Sequence, residues 1–393
     1  MPKDSKAKIL GLQKNVFFLG LTSLFNDLSS EMIVSIFPAF FTSVLKSGAA
    51  SLGLVEGIAE GASNIIKIYS GYITDKYKRR KPLIVVGYAI SVLTRPFYVI
   101  WPSVADVLGL RFADRIGKGL RDVPRDTVIS LSVEEGEMGQ SFGYHRAMDT
   151  LGAVLGPLTA YFILSRYPNH FNYVFITAFV VGLIALASLY FISDVVGNLK
   201  KHKIELRSLT EYSLKFKLYL LSIFIMSLGS LPVAVMLLKT ESVGLMVATI
   251  PLFYMVYNIS YAGFSFLAGR ESDKVGSVKV IIAGYVFLLL GYIVLNYSTD
   301  TILLVFAFLL LGLFPAFTDG VQRSYAAQIT EDEKRGGAFG LFNAAVGLGS
   351  LGAGILGGYL WQAYGPSASL VCGGVAVVLG LAIFIASSIL REI

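Results

Sequence analysis

Apolar positions fill the chain in runs of about twenty residues, broken by short polar stretches, from one end to the other. A run of that length crosses a roughly 30 Å hydrocarbon layer as a helix. The pattern predicts twelve helices, at 15–42, 50–73, 82–101, 104–131, 139–165, 170–194, 216–239, 243–268, 278–298, 301–328, 337–362 and 367–391. The expected fold class is therefore all-α integral membrane. The connections alternate in charge. One set carries Lys76, Lys78, Arg79, Arg80 and Lys81, then Lys200, Lys201, Lys203 and Arg207, then Arg270 and Lys274, then Lys334 and Arg335. The other set, WPSVAD, SRYPNH, YSTD and QAYGP, has little basic charge. The positive-inside bias then places the basic loops and both termini in the cytoplasm of a multi-pass protein of the inner or plasma membrane.

Composition supports this reading. Of 393 residues, 55% are hydrophobic and 15% charged, against about a quarter charged in soluble domains. Mean hydropathy is +0.68. The net charge of +7 follows from the basic loops and does not call for a nucleic-acid partner. The single cysteine, Cys372, allows no disulfide within one chain and no Cys/His metal set, so neither metal nor cofactor is expected. Nucleophile-elbow, paired-histidine and phosphate-loop motifs are lacking, which argues against an enzyme and against ATP-driven pumping. The basic N-terminal stretch shows no small-residue cleavage site and reads as a cytoplasmic tail.

The chain repeats itself. GYITDKYKRR from Gly71 is similar to GRESDKVGSV from Gly269, and Asp75 and Asp273 stand 198 positions apart. SFGYHRAMDTLGAVLG from Ser141 aligns with AFGLFNAAVGLGSLGA from Ala338 at an offset of 197, which also matches Asp122 with Asp319 and Glu134 with Glu331. Two blocks at nearly one offset predict two six-helix bundles, 1–194 and 216–393, joined by a cytoplasmic linker at 195–215.

Charge inside the apolar runs marks the candidate chemistry, because a lone charge in hydrocarbon is costly. Asp27 and Glu31 are four apart and share a face of the first helix, beside Asn26. Two carboxyls in a low-dielectric site cannot both ionise cheaply, which suits a group that loads and releases a proton. The competing reading is a static ion pair with Arg115. The second helix carries a polar stripe of Glu56, Glu60, Asn64, Lys67 and Gly71, and in the third Arg95 precedes a helix-relaxing Pro96. In the fourth, Arg111, Arg115, Lys118, Asp122 and Arg125 fall on one stripe, with Arg115 expected to face a cavity. In the fifth, His145, Asp149, Gly152 and Gly156 form another, with Arg146 able to hold a carboxylate or phosphate in a fork. His145 reads either as a proton relay or as a structural side chain. At the 197 offset Asp27 and Glu31 meet Phe224 and Leu228, so coupling chemistry is expected in the N-terminal half. The other half offers Asn258 among several tyrosines as a cavity wall.

These features resemble the major facilitator superfamily over essentially the whole chain. Gly71, Asp75, Lys76, Arg79 and Arg80 match its loop 2–3 signature, with Lys78 where the pattern has glycine. Gly269, Asp273 and Lys274 match the weaker second copy, Arg115 and Gly119 resemble a fourth-helix pattern of proton-driven members, and Gly152, Gly156 and Pro157 resemble the fifth-helix antiporter pattern. The resemblance implies a secondary carrier working by alternating access, with the loop 2–3 residues as a latch between bundles. The expected cycle is proton-coupled efflux of a small organic solute, with Asp27 and Glu31 carrying the proton and Arg115 competing for them. Asn26, Glu60, Arg95, Arg146, Asp149 and Asn258 are cavity candidates. The alternative is uptake of an organic anion or phosphate ester, and a third reading is a non-transporting receptor. Expected partners are membrane lipid, protons and the small-molecule substrate, for a monomer.

Overall fold

A computed structural model describes residues 8–76, 79–100, 103–195, 209–331 and 334–390. Lys78 and most of the expected linker, 196–208, lie outside the described residues. The helices are α1 (Lys14–Ser43), α2 (Ala49–Lys76), α3 (Lys81–Thr94), α4 (Phe97–Ile100), α5 (Val104–Ser132), α6 (Met138–Arg166), α7 (Phe171–Ser188), α8 (Leu214–Gly229), α9 (Val233–Ser242), α10 (Ile250–Val275), α11 (Ser277–Tyr297), α12 (Thr301–Gln328), α13 (Arg335–Tyr364) and α14 (Pro366–Ile389). Among the described residues nine helical spans are long and apolar enough to cross a membrane. α1, α2 and α5 are not among them, because they carry the polar residues singled out above.

Each of the twelve expected helices is present, and two are broken. The third stops at Thr94 and resumes at Phe97 as α4, because Pro96 has no N–H to donate. The seventh stops at Gly229 and resumes at Val233 as α9, with Pro232 at the start of the second piece. Tyr292 of α11 bridges that break. Its hydroxyl donates to the Gly229 carbonyl at 2.9 Å and accepts from the Leu231 N–H at 2.7 Å. Freed backbone groups in an apolar setting need such a partner. The eighth helix begins at Ile250, not 243, because Gly244 takes a positive φ of 76° and Val247–Thr249 form a 3-10 turn.

The N-terminal segment is more ordered than a tail. β1 (Lys8–Ile9) pairs antiparallel with β2 (Leu12–Gln13), and the two turn residues, Leu10 and Gly11, both have positive φ, as tight hairpins require. Lys8 pairs with Glu137 at 2.5 Å and holds its carboxyl below the ordinary range. Asn15 then ties the start of α1 to Ser132 and to both backbone groups of Ser193.

The described residues fall into two compact units, Met1–Leu45 with Ala62–Lys201, and Lys46–Gly61 with His202–Ile393. In the first unit α1 packs on α6 and α7, and α3 on α5. In the second, α8 packs on α13 and α14, and α11 on α12. The internal geometry repeats at the level of single contacts. A Cβ added at Gly87 of α3 would meet the Gly117 carbonyl and Arg121 of α5, and one added at Gly284 of α11 would meet the Phe314 carbonyl and Thr318 of α12. Every residue in the second set lies 197 positions after its counterpart in the first.

The first helix of each unit follows a different register. A Cβ at Gly152 would stand 2.6 Å from the Leu24 carbonyl oxygen, 2.8 Å from the Leu28 nitrogen and 2.9 Å from the Asp27 Cβ. A Cβ at Gly349 would meet the Phe224 carbonyl oxygen at 2.7 Å, the Leu228 nitrogen at 3.1 Å and the Ser227 Cβ at 2.5 Å. The counterpart of Asp27 is therefore Ser227, not Phe224, and that of Glu31 is Leu231, not Leu228. The offset between α1 and α8 is 200 positions, because connections of unequal length separate the first helix from the later ones in the two halves.

Candidate functional site

The charged side chains of the first unit gather where α1, α3, α5 and α6 face one another. α1 presents Asn26, Asp27 and Glu31 on neighbouring positions, with the Asn26 amide donating to Asp27 at 3.2 Å. α6 approaches them through glycine. Gly152 leaves the backbone beside Asp27, and a Cβ at Gly156 would stand 2.6 Å from the Leu28 carbonyl oxygen and 2.9 Å from the Glu31 Cβ. Both carboxylates thus lie along a seam where only a residue without a side chain allows the helices to come this close. Pro157, the last of that group, is buried within α6.

Arg95 is 2% exposed. Its Nη2 donates to the Asn26 side-chain oxygen at 2.9 Å, joining α3 to α1, and its Nη1 has no hydrogen-bond partner. The carboxylates acting on this guanidinium are Asp114 and Asp27. Arg111, equally buried, lies 5.2 Å over the Phe37 ring and pairs with Asp114 at 3.3 Å. A small cleft lined by Arg95, Arg111, Asp114, Thr94, Ser30 and Tyr98 opens between these groups.

Further along α5, Arg121 is 4% exposed, stacks 4.3 Å over the Tyr88 ring and donates to Ser91 at 2.6 Å, both on α3. Asp122 is shared by Arg125 at 3.6 Å and by Lys67 of α2 at 3.8 Å. The charges that act most on Asp27 are those of Asp149, Lys118, Arg121 and Arg125, whereas the charge of Arg115 acts on Asp114. On α6, Ser23 of α1 donates to Asp149, and His145 approaches the same carboxylate at 3.5 Å. Arg146 points outward, 61% exposed, and reaches Asp149 only at 3.9 Å.

Several sequence candidates fall elsewhere. Glu60 belongs to the part of α2 grouped with the second unit, and buried Asn258 lies on α10 of that unit. Gly71, Asp75 and Lys76 end α2, with side chains outside the described residues. Arg79 is exposed, and Arg80 is buried, donating to the Val195 carbonyl at 3.1 Å. Asp194 accepts from the backbone N–H groups of Arg80 and Lys81, so the loop is tied to the end of α7. Gly269 and Asp273 are exposed near the end of α10, where Lys274 pairs with Glu271 at 2.7 Å.

The sequence reading missed Asp114, Ser23, Ser91 and Tyr88. Asp114 had a signal: it stands three residues after Arg111 and four before Lys118, both on the stripe described above. The three others are short or aromatic partners whose role depends on which helix faces them.

Two helical units with the same internal packing, and a buried charged cluster in one of them, define a polytopic carrier-type membrane protein. The sequence model of the Major Facilitator Superfamily matches residues 19–238 and 218–391, and the chain belongs to this family of secondary transporters. It is 35% identical over 382 residues to an uncharacterised MFS-type transporter of Methanocaldococcus jannaschii, covering 94% of each chain. It is 22% identical over 351 residues to a homolog of the multi-drug resistance efflux pump PmrA from Lactococcus lactis, covering 84% of each. Its fold is similar to that of the nucleoside transporter NupG, with a TM-score of 0.78, 15% identity and coverage of 96% of this chain and all of that one.

Proposed function

We propose that this transporter couples proton movement to export of a small organic solute, with Asp27 as the principal proton-carrying group and Glu31 beside it. The observation that carries this reading is the position of both carboxylates on the glycine-lined α1–α6 seam, with Lys118, Arg121 and Arg125 acting on Asp27. A carboxyl there can be protonated or paired with a cation, and a solute that favours one state shifts the balance between them. The cations in a position to compete for Asp27 are Lys118, Arg121 and Arg125, in place of Arg115. Export is supported by the likeness to the Lactococcus pump, and the protein acts as a monomer in a cell membrane with both termini cytoplasmic.

A second reading, uptake of an organic anion, is favoured by the cleft between Arg95 and Arg111, where two buried guanidiniums face one carboxylate. Proteoliposomes carrying a pH-sensitive dye and a panel of cationic, neutral and anionic solutes test both. Solute-triggered proton movement that vanishes in Asp27→Asn/Glu31→Gln is the expected result, with protons moving in the direction opposite to the solute. Undiminished proton movement in that double variant overturns the carrier role of these residues. Flux of anions alone, lost on Arg111→Met, establishes the second reading.

A further inference from the structure

We propose that Asp149 is a second proton-carrying carboxyl, which shares one proton with Asp27 across the contact between α1 and α6. This deepens the proton-carrier reading and rests on it. Ser23 and Asp27 lie one turn apart on α1, and Asp149 and Gly152 nearly one turn apart on α6. Two cross-helix contacts lock the register: Ser23 donates to Asp149, and Gly152 abuts Asp27. The two carboxyls are therefore neighbours across the seam, and Asp149 is the one acidic group among the strongest charges on Asp27.

The groups facing the pair come from every packed element. α5 supplies Lys118, Arg121, Asp122 and Arg125; α6 supplies His145 and Arg146; α3 supplies Tyr88 and Arg95; α1 supplies Asn26. Arg125 acts on both carboxyls while it also pairs with Asp122 and Asp126. A static ion pair is a poor description of Asp149. Its contact with Arg146 is 3.9 Å long, beyond hydrogen-bond distance, and that side chain is 61% exposed. Its close bond is to a hydroxyl, and a serine hydroxyl both donates and accepts, so Ser23 can serve either state of Asp149.

The transfer is balanced within the pair. The O–H bond of protonated Asp149 breaks, an O–H bond forms on Asp27, and the pair keeps a charge of −1 throughout. His145 stands beside Asp149, 4% exposed, with its Nε2 buried and without a hydrogen-bond partner. It positions the carboxyl, and the transfer needs no proton from it.

The test reads the carboxyls directly. The carboxylic C=O infrared absorption of the purified full-length protein in detergent is followed through a pH titration with no solute added. In the wild type the two groups titrate as a linked pair. Asp149→Asn should remove one step and change the proton affinity of the remaining one by roughly tenfold or more, and Asp27→Asn should do the reciprocal. Asp149→Glu should keep both steps. Ser23→Ala, which retains both carboxyls, should move the Asp149 step and serves if the Asn variant does not fold. An Asp27 step that stays unshifted in Asp149→Asn, or no step attributable to Asp149, overturns the inference. That result leaves the proton-carrier reading standing, since it is judged by flux in Asp27→Asn/Glu31→Gln; absence of any Asp27 step overturns both.

Discussion

Gly152 shows how much one residue decides at this site. The absence of a side chain brings the α6 backbone against Leu24, Asp27 and Leu28. Gly152→Leu would place a side chain into backbone atoms that cannot yield, and should destabilise by about 1–3 kcal/mol or more. The measurement is the Tm in detergent beside Gly139→Leu, where a Cβ meets nothing within 4 Å and little change is expected. Asp27, Arg95 and Gly152 stand out in the sequence, because charge and small residues in apolar runs are conspicuous. Their partners do not. Nothing in the chain says that Arg95 donates to Asn26, or that Arg121 stacks on Tyr88, until α1, α3 and α5 face one another.

At the scale of elements, hydropathy placed all twelve helices, and Pro96 marked the break in the third. The break between α8 and α9 also had a signal, in Gly229, Ser230 and Pro232, which the long apolar run around them masks. Tyr292 reveals it by serving both sides of the gap. Tyr292→Phe keeps the ring and deletes both hydrogen bonds, leaving the Gly229 carbonyl and Leu231 N–H without this partner. A loss of about 1–3 kcal/mol is expected, and faster amide hydrogen exchange at 229–232 would locate it. The repeat was also legible, but its register was not uniform. Three positions separate the offset of α8 from that of α12 and α13, so a single offset pairs each residue of α1 with one almost a full turn too early on α8. An alignment at one offset therefore compared Asp27 with Phe224, when the packing compares it with Ser227.

At the scale of the whole molecule, the corrected register sharpens the asymmetry. Asp27, Arg95, Arg121 and Arg125 of the first unit correspond to Ser227, Tyr292, Thr318 and Gln322 of the second. The polar geometry is kept where charge is lost: Gln322 donates to the Tyr285 hydroxyl at 2.9 Å, while Arg125 bears on Tyr88 at the matching place. Proton-coupled flux should accordingly be lost in Asp27→Ala and largely kept in Ser227→Ala, assayed side by side in proteoliposomes. Equal losses in the two would show that position within the bundle matters and charge does not. The same asymmetry bears on how the chain is made. Among the described residues α1, α2 and α5 are long enough to cross a membrane but fall short of the apolarity of the other spans, and two of them precede the others in chain order. Each polar residue at a helix centre weakens insertion by up to a few kcal/mol. The earliest segments of this protein thus depend on later ones: α1 enters lipid securely only when α6 and α7 arrive to cover its polar face, so a nascent chain released before α7 would be a substrate for membrane quality control.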